Sequence, residues 1–217
     1  MNKDHILHLP GFLDPVSCQH FIDLFESLNE YQEEGRVGGH RIVHKEKKCT
    51  EMTFRLYEDY KMHPVPLLGT EMGWKKFKVP FYREPDFINC LVNGFEKYAQ
   101  EYPFLDKLPQ TQICEGIKIQ KYNPDECYSK LHCETMGDTL DRVLVWMIYL
   151  NDVTDGGETE FPSQDKKFQP RCGDLLIWPA HFTHPHRGIA SKTQVKYIAT
   201  GWTVYTKAIQ KQIKNKS

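Results

Sequence analysis

His132-Cys133-Glu134 places an imidazole and a carboxylate two positions apart. On an extended segment such residues point to the same side, so one short stretch can present both to a single metal ion. Cys133 then points the other way and reads as a packed thiol rather than a ligand. Two histidines and one carboxylate take one face of an octahedron and leave three positions open. That arrangement suits iron(II), which must also bind a co-substrate and dioxygen. The second histidine has to come from elsewhere in the chain. His181, His184 and His186 cluster in the run Pro179 to His186, and spacing alone leaves all three open. His184 shares the parity of His186 and would face the same cavity unless Pro185 breaks the alternation.

Lys196 lies ten positions after His186, on a strand-like run beyond a turn supplied by Gly188 to Thr193. A lysine among Val195, Tyr197 and Ile198 is costly to bury unless a negative charge meets it. It is either an outward-facing strand residue or the partner of an anion. A 2-oxoglutarate that chelates the metal through its 1-carboxylate and keto group would carry its far carboxylate to such a cation.

The elements that must position these groups fall into two textures. Asp14-Pro15 reads as a helix start, with Asp14 as N-cap and proline at the first helical position. Cys18, Phe21, Ile22, Phe25 and Leu28 recur behind it at helical spacing, and Gly35, Gly38 and Gly39 are read as ending that helix after a run of glutamates. A strand is expected around Thr53 to Tyr57, then a long loop over 60–85 carrying Trp74, Phe77, Phe81 and Tyr82. A second helix is expected from Pro85 to Tyr102, with Phe87, Leu91, Phe95 and Tyr98 on one face. From Thr111 onward strands dominate: Ile113 to Tyr122, Val143 to Leu150, Asp174 to Trp178 and Val195 to Tyr205. Turn signals at Asp155-Gly156-Gly157 and Pro170 to Gly173 separate them. The nearly unbroken apolar run Val143 to Leu150 predicts a strand buried on both faces. Trp178 reads as core.

Composition bounds the rest. The chain has 217 residues and a formal net charge of -1, so no global field pulls it towards nucleic acid or membrane. Seven scattered cysteines without a CxxC pair predict free thiols, a reducing and cytoplasmic compartment, and no cysteine-based zinc site. No apolar run is long enough to span a bilayer. The expected organisation is a region 1–110 packing on the core within one domain, a core over 111–206, and a basic tail over 207–217 with Lys207, Lys211, Lys214 and Lys216.

Residues 113–205 resemble the prolyl 4-hydroxylase-like branch of the 2-oxoglutarate/iron(II) dioxygenases. The resemblance rests on Tyr122-Asn123-Pro124, Leu131 to Glu134, Arg142-Val143-Leu144 and Tyr149 to Val153. It continues through Gly156 to Pro162, Pro170 to Asp174, His186-Arg187-Gly188, and Lys196 followed by Trp202. Gly11-Phe12-Leu13 before the first helix also looks like the start of such a domain. The resemblance implies a mainly β fold, a double-stranded β-helix (jelly-roll) core with flanking α-helices. It implies His132, Glu134 and His186 as iron ligands, Lys196 as partner of the 5-carboxylate of 2-oxoglutarate, and Tyr122 as a further contact to that co-substrate. Tyr128 is a candidate lining residue, and Trp202 is expected to pack near the ligand layer. Fe(II), 2-oxoglutarate and O2 are the implied cofactors, with ascorbate as an accessory reductant.

The implied reaction couples decarboxylation of 2-oxoglutarate to succinate with hydroxylation of an unactivated C–H bond. The partner is then a peptide or small-molecule substrate, with peptidyl proline first among the targets and free amino acids or other metabolites still open. No nucleic acid or membrane partner is implied, and the oligomeric state is unspecified. Most members of this branch carry aspartate where this chain has Glu134. The rival reading is a cupin-like metal-binding protein or isomerase that does not use 2-oxoglutarate. A further one is a non-catalytic interaction domain on a degenerate oxygenase fold, against which the full ligand set and Lys196 argue.

Overall fold

The computed structural model describes residues 4–37, 41–56, 61–65, 82–83, 85–108, 111–113 and 116–205. In chain order the elements are β1 (Leu7–Leu9), α1 (Pro15–Ser27), β2 (Glu33–Glu34), β3 (Thr50–Leu56), β4 (Lys61–Val65) and β5 (Tyr82–Arg83). Then follow α2 (Pro85–Glu101), β6 (Thr111–Ile113), β7 (Gly116–Tyr122), β8 (Arg142–Tyr149), β9 (Thr159–Phe161), β10 (Lys166–Phe168), β11 (Leu175–Pro179), β12 (Arg187–Gly188) and β13 (Lys196–Tyr205). Short 3-10 turns join several of them.

The strands build a jelly roll from two antiparallel sheets. The large sheet runs β1-β11-β8-β13-β7-β3-β4-β5, with β2 on β3 and β6 on β13; the small one runs β10-β9-β12. The strands before residue 110 are therefore integral to the sheet, since β3 pairs with β7 and β1 with β11.

Burial on both faces explains the apolar run of β8. Leu144, Trp146 and Ile148 join one cluster with Phe21 and Phe25 of α1 and Phe87 and Leu91 of α2. Val145, Met147 and Tyr149 point the opposite way, into a second cluster with Phe161, Trp178 and Trp202 between the sheets. Each large apolar side chain removed from water there contributes on the order of 2 kcal/mol. Trp146 packs flat against Gly201, where a β-carbon would meet the indole ring at 2.7 Å.

Helix α1 starts as its sequence dictates. Asp14 accepts from Ser17 N at 2.9 Å and from Ser17 Oγ at 2.6 Å, and Pro15 occupies the first turn. It ends at Ser27, well short of the expected glycines. A 3-10 turn over Asn29–Tyr31 intervenes, and Glu33–Glu34 pairs with β3 instead. The buried face holds Leu24 as well as Cys18, Phe21 and Phe25, while Ile22 is only half-buried. The expected loop over 60–85 contains two strands, β4 and β5, which pair with each other; Trp74, Phe77 and Phe81 lie outside the described residues, as does the basic tail. Helix α2 ends within a residue of expectation.

The N-terminal segment is pinned to the turn before β11. Buried Asp174 accepts from Gly11 N at 2.9 Å and lies 2.7 Å from His8 Nε2. Gly173 adopts φ 84, and a β-carbon there would collide with Leu13 O at 2.0 Å, so only glycine fits this close approach. Among the described residues no helix is long and apolar enough to cross a membrane, and the six described cysteines are free thiols.

Candidate metal and co-substrate site

His132 and Glu134 sit on an irregular segment between β7 and β8, and His186 immediately precedes β12. A reciprocal backbone pair joins the two histidines, with His132 N to His186 O at 3.0 Å and His186 N to His132 O at 2.9 Å. Glu134 N and Thr135 N both donate to Ala180 O, at 2.9 and 3.2 Å. These bonds bring residues that are far apart in sequence to one end of the roll. His132, Glu134 and His186 each offer a ligand atom, all within 4.8 Å of one another. His186, and not His181 or His184, completes the group.

The tautomers follow from the backbone. His132 Nδ1 lies 2.8 Å from Lys130 O and His186 Nδ1 lies 3.1 Å from His184 O. A carbonyl only accepts, so each Nδ1 carries the proton and each neutral ring has a bare Nε2. Burial, then the neighbouring His186, hold the His132 pKa below the ordinary histidine value against the pull of Glu134. Both Nε2 lone pairs aim at Glu134 Oε1, at 3.4 and 3.6 Å. Burial pushes the Glu134 carboxyl up, but when the imidazoles are protonated their Nε2–H bonds and positive charge outweigh it and hold the carboxyl well below its usual range; with the rings neutral that support is gone. Two lone pairs and a carboxylate oxygen converging in this way repel one another unless a cation lies between them. The donor set and tautomers therefore fit a divalent metal ion.

Packing orients the rings. Tyr128 stacks on His132 with centroids 3.7 Å apart and planes at 16°. Phe161 and Trp178 flank His186 at 5.4 and 5.0 Å. His184, of the same parity as His186, faces elsewhere: its Nε2 lies 2.7 Å from Asp4 O and its Nδ1 2.9 Å from Thr183 Oγ1. A turn is responsible, because His184 N donates to His181 O and the segment is not extended. Arg187 points outward to Glu160.

Lys196 opens β13 and is 5 % exposed. Its ammonium donates to Gly157 O at 2.9 Å and lies 5.0 Å from the Tyr122 ring centroid. Among the described residues it pairs with no carboxylate, and burial drags its pKa down to about 8. Gly156 and Gly157 make the turn that brings this carbonyl in, with φ 113 and 79. The Tyr122 hydroxyl, aligned opposite Lys196 in register, donates to Gln120 Oε1 at 2.8 Å. Burial first, then the nearby Cys49 and Glu51, raise its pKa, so it stays a neutral phenol.

Sequence reasoning missed a charged network beneath this region. Glu51, fully buried, accepts from Lys47 Nζ at 2.5 Å, Lys118 Nζ at 2.8 Å and Gln120 Nε2 at 2.9 Å. The signal was present: Lys47, Cys49 and Glu51 alternate, and all three point inward. The donors to the other Glu134 oxygen, Arg142 and Trp202, were also unforeseen.

Residues 117–204 match the family model described as the 2OG-Fe(II) oxygenase superfamily. A protein of Acanthamoeba polyphaga mimivirus that bears a provisional prolyl 4-hydroxylase name is 28% identical over 106 residues. That match takes in 41% of this chain and 44% of the relative, less than half the length of either. Solved structures share the fold at low identity. The viral collagen prolyl hydroxylase of Paramecium bursaria Chlorella virus-1, in its 2OG complex, superposes with TM-score 0.61 at 16% identity, covering 92% of this chain and 95% of that one. A Trichoplax adhaerens prolyl hydroxylase, in complex with a hypoxia inducible factor oxygen degradation domain peptide fragment, gives 0.65 at 16% identity, covering 95% and 86%.

Proposed function

We propose that this protein is an Fe(II)- and 2-oxoglutarate-dependent dioxygenase that hydroxylates an unactivated C–H bond, a reading supported by the match of residues 117–204 to the 2OG-Fe(II) oxygenase superfamily model. The observation that carries the reading is the convergence of two bare imidazole nitrogens on one carboxylate oxygen. His132, Glu134 and His186 are the metal ligands. Lys196 receives the 5-carboxylate of 2-oxoglutarate: it is a buried cation without a carboxylate partner among the described residues, and an anion would offset its desolvation. A cupin-like protein without 2-oxoglutarate would have no use for it. Tyr122 lines the same wall, one face of its ring beneath the ammonium.

When bound, Fe(II) would supply the activation of dioxygen that couples loss of carbon dioxide from 2-oxoglutarate to C–H hydroxylation. The protein fixes geometry and excludes water. The histidine Nδ1–H bonds to Lys130 and His184 carbonyls hold both rings. Tyr128, Phe161 and Trp178 wall them in, and Lys196 orients the co-substrate from below. Peptidyl proline is the favoured substrate, supported by the prolyl hydroxylase names of the relatives.

The test is anaerobic addition of Fe(II) and then 2-oxoglutarate, watched for the weak visible metal-to-ligand charge-transfer band. The band is expected. Its absence in folded, iron-loaded protein overturns the reading. Succinate release against proline-containing peptides and free amino acids then identifies the substrate class.

A further inference from the structure

Glu134 uses its two carboxylate oxygens for different tasks. Oε1 faces the imidazoles. Oε2 turns away and accepts from Arg142 Nη1 and Trp202 Nε1, each at 3.0 Å. Arg142 Nη1 also reaches the Glu134 backbone carbonyl at 3.2 Å. The guanidinium lies 3.6 Å from the Trp202 ring centroid, so the two donors brace each other. Both stand on paired strands of the large sheet, Arg142 at the start of β8 and Trp202 within β13 opposite Val145. The donors are thus anchored to the most buried part of the fold, while the residue that they hold lies on an irregular segment.

We propose that Arg142 and Trp202 are positioning residues that clamp Glu134 Oε2, making Glu134 a one-oxygen ligand and fixing glutamate as the side chain required there. This rests on the reading of His132, Glu134 and His186 as a metal site. A free carboxylate can wrap a metal with both oxygens. Two bonds to Oε2, one of them from a guanidinium, oppose that and keep coordination positions open. Aspartate would draw the carboxylate back by about 1.5 Å, one carbon–carbon bond. It could then meet the clamp or the imidazoles, but not both.

The test uses the full chain with Mn(II) as probe, followed by the electron paramagnetic resonance of the free ion. Trp202→Phe keeps the ring and removes the N–H; Arg142→Met removes the charge. Each is expected to weaken Mn(II) binding about 10- to 100-fold, the range for outer partners of a metal ligand. Glu134→Asp should weaken it in the parent and add little further in the Trp202→Phe background. In infrared difference spectra the splitting of the metal-bound carboxylate stretches, assigned by its loss in Glu134→Gln, should narrow in Trp202→Phe as the second oxygen is released to the metal. Folded variants that bind Mn(II) within about twofold of the parent, or an unchanged splitting, overturn the clamp. If Arg142→Met does not fold, Arg142→Lys and Trp202→Phe decide the question. A parent chain that binds no Mn(II) overturns the metal site itself, whereas a parent that binds and variants that bind equally overturn only the clamp.

Discussion

His132 and His186 hold each other by main-chain bonds in both directions, at 3.0 and 2.9 Å, while their side chains share one carboxylate oxygen. The ligand pair is set by backbone that no side-chain substitution removes. The proposed metal-binding geometry should therefore persist in the metal-free protein.

Loss of a ligand should consequently separate binding from folding. His132→Ala and His186→Ala are expected to weaken Fe(II) or Mn(II) binding by at least about 100-fold, at or beyond the upper end of outer-partner effects. The apoprotein should melt close to the parent by circular dichroism. A matching collapse of apoprotein stability would argue that the imidazoles are structural.

If Lys196 receives the 5-carboxylate as proposed, 2-oxoglutarate binding should be sensitive to alkali. Burial lowers its pKa to about 8, and a bound carboxylate would raise it again. Below pH 8 the ammonium is already charged; above it, binding must draw in a proton. Affinity should fall as pH rises through 8, approaching about tenfold per unit. Calorimetry at pH 8.5 in buffers of different ionisation enthalpy should show proton uptake. Lys196→Met should abolish this dependence and most of the affinity. For folding the sign is opposite to that of an ion pair: a lowered lysine pKa works against the folded state below about pH 8, and this opposition fades towards the free value of 10.5. The Lys196→Met apoprotein should thus be at least as stable as the parent at pH 7.

Glu51→Gln should destabilise strongly. It leaves Lys47 and Lys118 buried or nearly so without their carboxylate, and breaking such a buried pair costs about 3–5 kcal/mol. Urea unfolding measures it. Burial alone would push the Glu51 pKa up, but Lys118 and Lys47 outweigh that and hold it at about 2. The stability linked to this carboxylate is present above its ordinary value near 4.5 and is lost as pH falls towards 2. The parent should therefore lose stability across that window more steeply than Glu51→Gln does.

Gly201→Ala should cost about 1–3 kcal/mol through overpacking, because the added carbon meets the Trp146 indole at 2.7 Å. A melting temperature equal to the parent's would show that Trp146 can shift.

What the sequence makes legible depends on distance along the chain. Asp14-Pro15 specifies a helix start from adjacent residues, and β8 announces itself through eight apolar or long side chains in a row. Strands of two or three residues, such as β1, β9, β10 and β12, are too short to show a period of two, and only their partners define them. The end of α1 was misjudged because glutamates favour helix in isolation, whereas Glu33 and Glu34 find a partner in β3. His184 follows the exception left open at Pro185, because the segment turns and parity holds only on extended chain. His132, Glu134 and His186 could be named from spacing and resemblance. The Arg142–Trp202 contact to Glu134 Oε2 could not: one donor is 8 positions away and the other 68.

The three residues of β1 occupy the outer flank of β11. Without them the large sheet would end in a row of unsatisfied amides and carbonyls, open to pairing with any extended chain. His8 and Gly11, tied to Asp174, secure that cover. β1 thus shortens the exposed edge of the sheet from the five residues of β11 to its own three, and Asp174 is the latch that holds it there.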